Sequence, residues 1–304
     1  MPRIFTATPA SELRAELGET PRLDPRTGEV IWTDITAGKV HFGAVREDRI
    51  EWLRSFDVGG MSGPVTPLPD AGAGWIMARE QELVHVAQDG SLESLATPEA
   101  GRNTGFNDGA ADHRGNLWVG SMGRDGLLGA GRLWRIDLRG NATMAMDGIG
   151  ISNGLDFTSD GGTAYYVDTV TRTLERLELS PDGTIAARHC LVEFLPGEGD
   201  PDGLAMDDEG CIWVAMWDGW AVRRYSPGGE LLAVVQVPVA RPTAVCFVDE
   251  LLLITTCGAW LPEGWEQEQP DAGRMFSARV GVSGAPARPY RGQLQITVPP
   301  EDIS

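Results

Sequence analysis

The stretch that decides the fold is DHRGNLWVGSMGRDGLLGAGRLWRID, residues 112–137. It begins with an Asp- and Gly-rich turn and continues into an apolar run centred on Trp118. After a Gly-rich connection the chain returns as a second strand-like run around Trp134. Short apolar runs bounded by such turns are typical of antiparallel strands joined as hairpins. The stretch therefore predicts two adjacent β-strands and a turn that leads into them.

The same pattern recurs six times along the 304 residues. Its apolar cores are VIWTDI, GWIMARE, NLWVGSM, TAYYVDT, CIWVAMW and LLLITTC, with equivalent anchors at Trp32, Ile76, Trp118, Tyr166, Trp213 and Ile254. Successive anchors are 41 to 48 residues apart. This period, with about four short strands per unit, is typical of propeller blades. A β-sandwich, the rival all-β fold, does not predict six equal units.

The predicted fold is thus an all-β, six-bladed β-propeller, with residues 1–304 forming a single domain. Closed all-β architectures accommodate this length in one unit. The only helical periodicity of useful length lies in residues 10–17. The aspartates of the turns that precede the anchors are expected to serve turn geometry only; they are Asp24, Asp112, Asp160, Asp207 and Asp208.

Composition excludes several classes of function. The chain has 25 Lys and Arg against 44 Asp and Glu, a net charge of −19. Such a surface repels phosphate backbones and anionic lipid, so we expect neither nucleic acid nor membrane as a partner. No apolar run approaches a membrane span, and the N-terminus lacks the apolar core of a signal peptide. We expect a cytoplasmic protein that is a monomer or a small homo-oligomer.

The four cysteines and four histidines show no ligand spacing. No CxxC pair is present, and most of the cysteines lie in apolar runs, which favours buried free thiols in a reducing compartment. His41, His85, His113 and His189 lie in hairpin strands or turns, where a lone histidine is usually structural. The sequence therefore does not predict a His- or Cys-based metal site.

Four polar residues share one position in the loops that enter the blades. Glu19, Asn107, Asn153 and Asp202 each precede their blade's anchor by 11 to 13 residues. The innermost strand of every blade lines the channel of a propeller, so equivalent loop positions converge on the axis. Carboxylate and amide oxygens suit Ca²⁺, Mg²⁺ or Mn²⁺ better than zinc. Each motif alone is also compatible with a simple turn, but four at a matched position predict one divalent metal site at the channel mouth.

The chain lacks the marks of several common enzyme classes. It has no Gly-x-Ser-x-Gly elbow and no persuasive Ser, His, Asp order, which argues against a covalent serine mechanism. Phosphate-binding loops and dinucleotide fingerprints are absent from the sequence too.

Several motifs, in order, resemble those of the senescence marker protein, gluconolactonase and luciferin-regenerating enzyme family, whose animal member is regucalcin. They are LGETPRLDPRTGEVIWTDI, FNDGAADHRGNLWVGSM, ISNGLDFTSDGGTAYYVDT, PDGLAMDDEGCIWVAMWDGWAVRRYSPGGE, PVARPTAVCF and DAGRMFSARVGVSGAPARPYRG. The resemblance covers almost the whole chain and implies a six-bladed propeller.

The resemblance also implies a site and an activity. Its metal ligands would be Glu19, Asn153 and Asp202, with Asn107 beside the metal in contact with substrate or a bound water. Asp125 matches a carboxylate that holds substrate hydroxyls in some relatives. The implied activity is metal-dependent hydrolysis of a sugar lactone to the aldonic acid, with Asp202 as metal ligand and general base. The cofactor would be Ca, Mn, Mg, Zn or Fe, with Ca or Mn favoured by the oxygen donors.

The sequence departs from the family pattern in three places. Gly105 stands where relatives often carry Arg, Leu23 replaces a Trp, and Thr20 stands where Gly or Ser is common. Arg102, Arg22 or Arg124 could supply the missing guanidinium. Arg102 is the closest in sequence, so it is the predicted contact for an anionic substituent of the substrate. Two alternatives stay open: a hydrolase of a non-sugar ester, lactone or phosphotriester, and a non-enzymatic metal-binding propeller.

Overall fold

The computed structural model describes residues 1–299, and strands make up nearly all of its regular structure. Residues 300–304 of the predicted domain lie outside the described residues. The strands are β1 (Arg3–Thr6), β2 (Thr8–Arg14), β3 (Gly18–Leu23), β4 (Glu29–Asp34), β5 (Lys39–Arg46), β6 (Arg49–Asp57), β7 (Ser62–Pro67), β8 (Trp75–Arg79), β9 (Glu82–Val86), β10 (Leu92–Ala96), β11 (Thr104–Ala111), β12 (Leu117–Gly123), β13 (Gly131–Ile136), β14 (Ala142–Ile149), β15 (Ser152–Phe157), β16 (Thr163–Asp168), β17 (Thr173–Leu179), β18 (Ile185–Glu193), β19 (Asp200–Met206), β20 (Ile212–Trp217), β21 (Ala221–Tyr225), β22 (Leu231–Gln236), β23 (Pro242–Val248), β24 (Leu251–Thr256) and β25 (Arg274–Arg279).

Short helical turns occur at Ala71–Ala73 and, as α1, at Trp265–Glu268. Across residues 1–299 no helix has the length and apolar character needed to cross a bilayer.

The strands form six sheets, which are the six predicted blades. Blades one to four are β3–β6, β7–β10, β11–β14 and β15–β18, each an antiparallel meander. Blade five is β19–β22, with β1 added in parallel at its outer edge. Blade six consists of β23–β25 and takes β2 as its outermost strand. The six-bladed propeller is confirmed, and its last blade pairs the N-terminal strand β2 with β25.

The helical interpretation of residues 10–17 is wrong. Thr8–Arg14 is β2, and it pairs antiparallel with β25 at Thr8↔Ser277 and Pro9↔Phe276. Ala10 and Ser11 are buried there, and Ser11 Oγ accepts a hydrogen bond from Met275 N at 3.0 Å. Pairing with an open sheet edge outweighs the helical tendency of this segment, because tertiary context overrides local propensity.

The core lies between the blades. Six clusters of buried apolar residues each draw on two neighbouring blades. Between blades five and six, the rings of Trp213 and Phe247 meet nearly edge to face at 5.9 Å. Between blades three and four, those of Trp118 and Phe157 lie 5.7 Å apart. Aromatic side chains of this size dominate core energetics, so each blade depends on its neighbours for burial.

Four of the five turn aspartates accept main-chain hydrogen bonds within their turns, as predicted, whereas Asp208 Oδ2 accepts from Ser283 Oγ of the C-terminal segment. The Asp207 carboxylate accepts hydrogen bonds from the main-chain N–H groups of Glu209 and Cys211, and its other oxygen accepts from Trp213 Nε1 at 2.8 Å and Arg224 Nε at 2.7 Å. Asp160 accepts only from Thr158 Oγ1 and Gly162 N and is fully exposed. Buried members of the set thus link the turn to the core.

The C-terminal segment after β25 crosses the end of the ring that carries these turns. Ala287 N donates to Leu23 O, Tyr290 N to Pro67 O and Arg291 N to Gly115 O, each at 2.9 Å. Arg288 Nη1 reaches Asp156 Oδ1 at 2.7 Å at the wall of the channel. The tail covers this end, so we place the functional mouth at the opposite one.

The two kinds of turn aspartate give a matched stability test. Asp207→Ala leaves Trp213 and Arg224 without a buried acceptor and should lower the free energy of unfolding by about 3–5 kcal/mol. Asp160→Ala removes only an exposed turn contact and should lower the free energy of unfolding much less than Asp207→Ala does. Urea denaturation of both variants measures the difference. Equal losses in the two variants would contradict the distinction.

Candidate metal and substrate site

The site is built by β-bulges, one in each inner strand and all at a similar position along it. Each of the six inner strands loses register with its neighbour once, as β3 does between Glu19 and Arg22 and β11 between Phe106 and Asp108. The shifts in β15 and β19 enclose Asn153 and Asp202. A bulge adds a residue to one strand and re-aims its side chain. The four residues of matched position therefore lie in four separate inner strands, at or beside a bulge.

The donor layer, defined as Glu19, Asn107, Asn153 and Asp202, is buried. Asn153 Nδ2 donates to Thr169 Oγ1 at 2.9 Å, and Thr169 Oγ1 donates in turn to Pro201 O at 2.8 Å. This chain of bonds orients the Asn153 amide. Asn107 is oriented in the same way, because its Nδ2 donates to Ser152 O at 2.9 Å. Asn107 is held directly by the next blade along the ring, whereas Asn153 is linked to its next blade through Thr169 of its own blade.

Two acceptor atoms of the layer are buried without a hydrogen-bond partner. They are Asn153 Oδ1 and Asp202 Oδ1. Buried polar atoms almost always have a partner, so an orphaned one requires an explanation such as an ion. A cation would satisfy both atoms together, since neither can donate to the other. The residues present therefore fit a divalent metal on oxygen donors.

The electrostatics of the layer agree with a cation. Burial, together with the charge of Asp108, raises the pKa of Glu19 to about 8. Burial also raises the pKa of Asp202 well above its ordinary value, with further contributions from Glu19 and Asp108. Like charges in a site that excludes water disfavour ionisation, and a bound cation reverses this effect.

Sequence reasoning missed Asp108. It is buried, and burial raises its pKa, while Arg22 opposes the rise from 3.6 Å away. In a regular strand Asn107 and Asp108 would point to opposite faces. The bulge in β11 breaks that alternation, so the sequence period could not place both near the other carboxyls. The FNDG motif itself was the available signal.

Histidine and cysteine take no part in the layer. His41 Nδ1 contacts Ser55 Oγ at 2.7 Å and His85 Nε2 contacts Ala73 O at 2.6 Å, both structural bonds. Among residues 1–299 no group of three His, Cys, Asp or Glu side chains is arranged to hold a metal. The set described above differs because amide oxygens are among its donors.

Asp125 and Arg102 lie outside the buried layer, although the sequence grouped them with it as substrate contacts. Asp125 is exposed on the β12–β13 loop, with Asn103 Nδ2 3.4 Å from its Oδ2. Arg102 Nε lies 3.3 Å from Oε2 of the fully buried Glu99, and its Nη2 donates to Ala130 O at 2.8 Å. Both residues stand at the same end of the ring as the start of β11.

Of the three arginines considered for the missing guanidinium, Arg124 is the one that lies against Gly105. A Cβ at position 105 would be 3.1 Å from Arg124 Nη2 and 3.2 Å from its Nε. Arg22 instead lines the channel beside the C-terminal tail. Arg124 thus fills the space that a side chain at position 105 would need.

Comparison with known proteins places this chain in a family. The model of the SMP-30/gluconolactonase/LRE-like region matches residues 17–258. The chain belongs to this family. Membership confirms the resemblance drawn from the motifs, and the matched region contains every residue of the donor layer.

Relatives and solved structures share most of their length with the chain. It is 34% identical over 274 residues to the 6-deoxy-6-sulfogluconolactonase of Pseudomonas putida, covering 88% of this chain and 92% of that one. It is 31% identical over 308 residues to a pentonolactonase of Haloferax volcanii, covering 93% and 97%. A calcium-binding regucalcin from Agrobacterium tumefaciens superposes with a TM-score of 0.88 at 27% identity, covering 96% and 100%.

The raised pKa of Glu19 predicts a pH dependence of stability in the metal-free protein. Between the ordinary value of 4.5 and about 8, the folded state keeps a proton that the unfolded state has lost. The free energy of unfolding must therefore fall as pH rises through this window. The neutral isostere in Glu19→Gln cannot titrate, so this loss of stability is absent from the variant. As pH rises through the window, its free energy of unfolding should increase relative to that of wild type by a few kcal/mol, on the order of 1.4 kcal/mol per pKa unit.

Urea denaturation of chelator-treated wild type and Glu19→Gln at several pH values measures this difference. Subtracting the two curves cancels titrations that are independent of Glu19, such as that of His41, whose pKa burial lowers to about 4. The difference therefore reports Glu19 together with Asp202, because Glu19 contributes to the raised pKa of Asp202. Adding Ca²⁺ should restore wild-type stability most at the alkaline end. A difference that stays constant from pH 5 to pH 8 would contradict the assignment.

Proposed function

We propose that the protein is a divalent-metal-dependent hydrolase that opens a sugar lactone to its aldonic acid. The observation that carries the proposal is the pair of orphaned buried acceptors, Asn153 Oδ1 and Asp202 Oδ1, in a layer shared with Glu19. The sugar-lactone substrate is supported by the relatives named sulfogluconolactonase and pentonolactonase. Glu19, Asn153 and Asp202 would hold the metal, and their oxygen donors favour Ca²⁺ or Mn²⁺.

The chemistry divides between the metal and the chain. When bound, a divalent ion polarises a carbonyl and lowers the pKa of a coordinated water. The chain holds the Asp202 carboxylate in a buried position. With Oδ1 on the metal, its second oxygen would accept the proton of the attacking water. Positioned proton transfer of this kind contributes roughly 10²–10⁴ in rate.

The reaction balances without a covalent enzyme intermediate. The water oxygen bonds to the lactone carbonyl carbon, and the bond from that carbon to the ring oxygen breaks. Asp202 takes a proton from the water, and the ring oxygen receives a proton as it leaves as a hydroxyl group. Asn107, oriented by Ser152 O, lies beside the reacting centre, while Asp125 and Arg102 stand at the rim.

A second candidate, hydrolysis of a non-sugar ester or lactone, draws on the apolar residues at the same end of the ring. The β12–β13 loop exposes Leu127 and Leu128, and the loops after β20 and β24 expose Trp220 and Trp260. The second strand of each blade is antiparallel to the inner strand and ends at the end of the ring where the inner strand begins. These loops therefore surround the channel mouth. A substrate panel that includes aliphatic lactones separates the two candidates.

The expected surroundings of the protein follow from its chemistry. All four cysteines are free thiols, three of them buried, which supports a cytoplasmic location. The net charge of −19 supports the prediction that nucleic acid and membranes are not partners. A monomer or a small homo-oligomer stays a prediction.

Metal removal and ligand variants test the core of the proposal. Freshly prepared aldonolactones should release acid with the untreated enzyme and not after EDTA, with recovery on adding Ca²⁺ or Mn²⁺. Glu19→Ala and Asp202→Ala should lose bound metal by elemental analysis while keeping the fold, because each removes a charged donor. Full metal retention in both variants would exclude these ligands, and acid release that survives EDTA would exclude the metal-dependent reaction.

Substrate contacts are tested separately from metal contacts. Asn107→Ala and Asp125→Ala should retain the metal, and each should lower kcat/KM by about tenfold or more, the effect of a hydrogen bond to a charged group or metal-bound partner. Metal content measured beside steady-state rates separates the two roles. Unchanged kcat/KM on the best lactone in both variants would remove these residues from the site.

A further inference from the structure

Arg124 occupies a position that neither the sequence nor the donor layer explains. Its guanidinium lies over Gly105, 3.1 to 3.6 Å from where a Cβ would be. Gly105 pairs with Met122 in blade three and precedes Asn107 by two residues on β11. At about 3.3 Å per residue along a strand, this separation is about 7 Å. The guanidinium is therefore within reach of a small molecule that also contacts Asn107.

The partner of Arg124 belongs to a neighbouring blade. Arg124 Nη2 forms an ion pair with Glu80 Oε2, and Glu80 Oε1 accepts a hydrogen bond from Met61 N at 2.7 Å. The side chains of Arg124 and Glu80 are 32% and 33% exposed. The pair thus forms part of the surface between blades two and three, at the end of the ring where β11 starts.

Arg124 forms fewer hydrogen bonds to the rest of the protein than other arginines at this end of the ring. Arg172 and Arg241 each donate to at least two main-chain carbonyls as well as to a carboxylate. Arg102 serves the buried Glu99 and Ala130 O. Among residues 1–299 the side chain of Arg124 pairs with one partly exposed carboxylate and with no main-chain carbonyl, and its Nε, like that of Arg102, is without a hydrogen-bond partner. A guanidinium of this kind can exchange one carboxylate for another anion.

We propose that Arg124 is a specificity-determining residue that binds an anionic substituent on the substrate, with Glu80 holding its place when the site is free. The proposal rests on the lactonase function proposed above. Guanidinium groups bind carboxylate, phosphate and sulfonate through paired N–H donors. In a chain of net charge −19, a local cation at the mouth offsets the repulsion that an anionic substrate would meet.

The experiment compares an anionic lactone with its neutral parent. The 6-phospho derivative of gluconolactone and gluconolactone itself are assayed with wild type, Arg124→Ala, Glu80→Gln and Arg54→Ala. The last is a matched control, because Arg54 is 34% exposed and ion-paired with Glu29, away from Gly105. Circular dichroism checks that each variant is folded.

The kcat/KM ratio of anionic over neutral lactone should exceed one in wild type. It should fall about tenfold to a hundredfold in Arg124→Ala, mainly through KM, as for a lost hydrogen bond to a charged group. In Glu80→Gln the ratio should rise, because the competing carboxylate is gone. Arg54→Ala should leave it unchanged. A ratio that is unchanged in folded Arg124→Ala would overturn the proposal.

A binding measurement keeps this test independent of the proposed reaction. Calorimetry with 6-phosphogluconate and gluconate compares affinities in wild type and Arg124→Ala, whether or not lactones are hydrolysed. Tighter binding of the phosphorylated acid that depends on Arg124 supports the anion site even if the lactonase function fails. Equal affinity of both acids for both proteins would overturn the anion site alone.

Discussion

Closure of the ring by β2 is the constraint on which the remaining structure depends. Strand Thr8–Arg14 pairs with β25 and completes blade six, which places blade six against blade one. Apolar burial occurs between blades, so a gap at this seam would expose one of the six clusters and remove an interface. Closure also collects the site, because its donors come from blades one, three, four and five. A ring that opens loses its core and its donor layer together.

The donor layer lowers the stability of the metal-free fold. Glu19, Asp108 and Asp202 are buried close enough for each to affect the charge of another. In the absence of a cation, this arrangement opposes ionisation and leaves two acceptors without partners. Buried, unsatisfied polar groups destabilise a fold, yet here hydrogen bonds hold both amides in place. Asn107 donates to Ser152 O of the next blade, and Asn153 donates to Thr169, which donates in turn to Pro201 O of the next blade. Such rigidity prepares a site for an ion instead of letting it collapse.

The residues at the channel mouth, called the rim here, are more exposed than the donor layer beneath them. Asp125, Arg124 and Glu80 are exposed or half-buried and belong to loops or strand ends, while the donor layer lies in the inner strands. Loops tolerate substitution more readily than packed strands do. Substitutions at the channel mouth can therefore change contacts with a bound molecule without altering the donor layer. Gly105 illustrates this separation, because the change there alters the rim and leaves the donor set intact.

The sequence by itself determined the six-bladed propeller. Each of the six sheets needs similar apolar strands and Asp- and Gly-rich turns, so the pattern repeats along the chain. It also placed Glu19, Asn107, Asn153 and Asp202 at one shared position of four repeats, and all four are buried in inner strands; their role as metal and substrate contacts stays a prediction. It did not predict the strand at residues 8–14, whose conformation depends on an edge contributed by the other end of the chain.

Only the tertiary structure brought Asp108 to the layer and Arg124 over Gly105. The first depends on a bulge that breaks strand alternation, and the second on an ion pair across two blades. The sequence offered the FNDG motif and named Arg124 among three candidate arginines, but neither signal carries the bulge or the contact between blades that decides the position of the side chain.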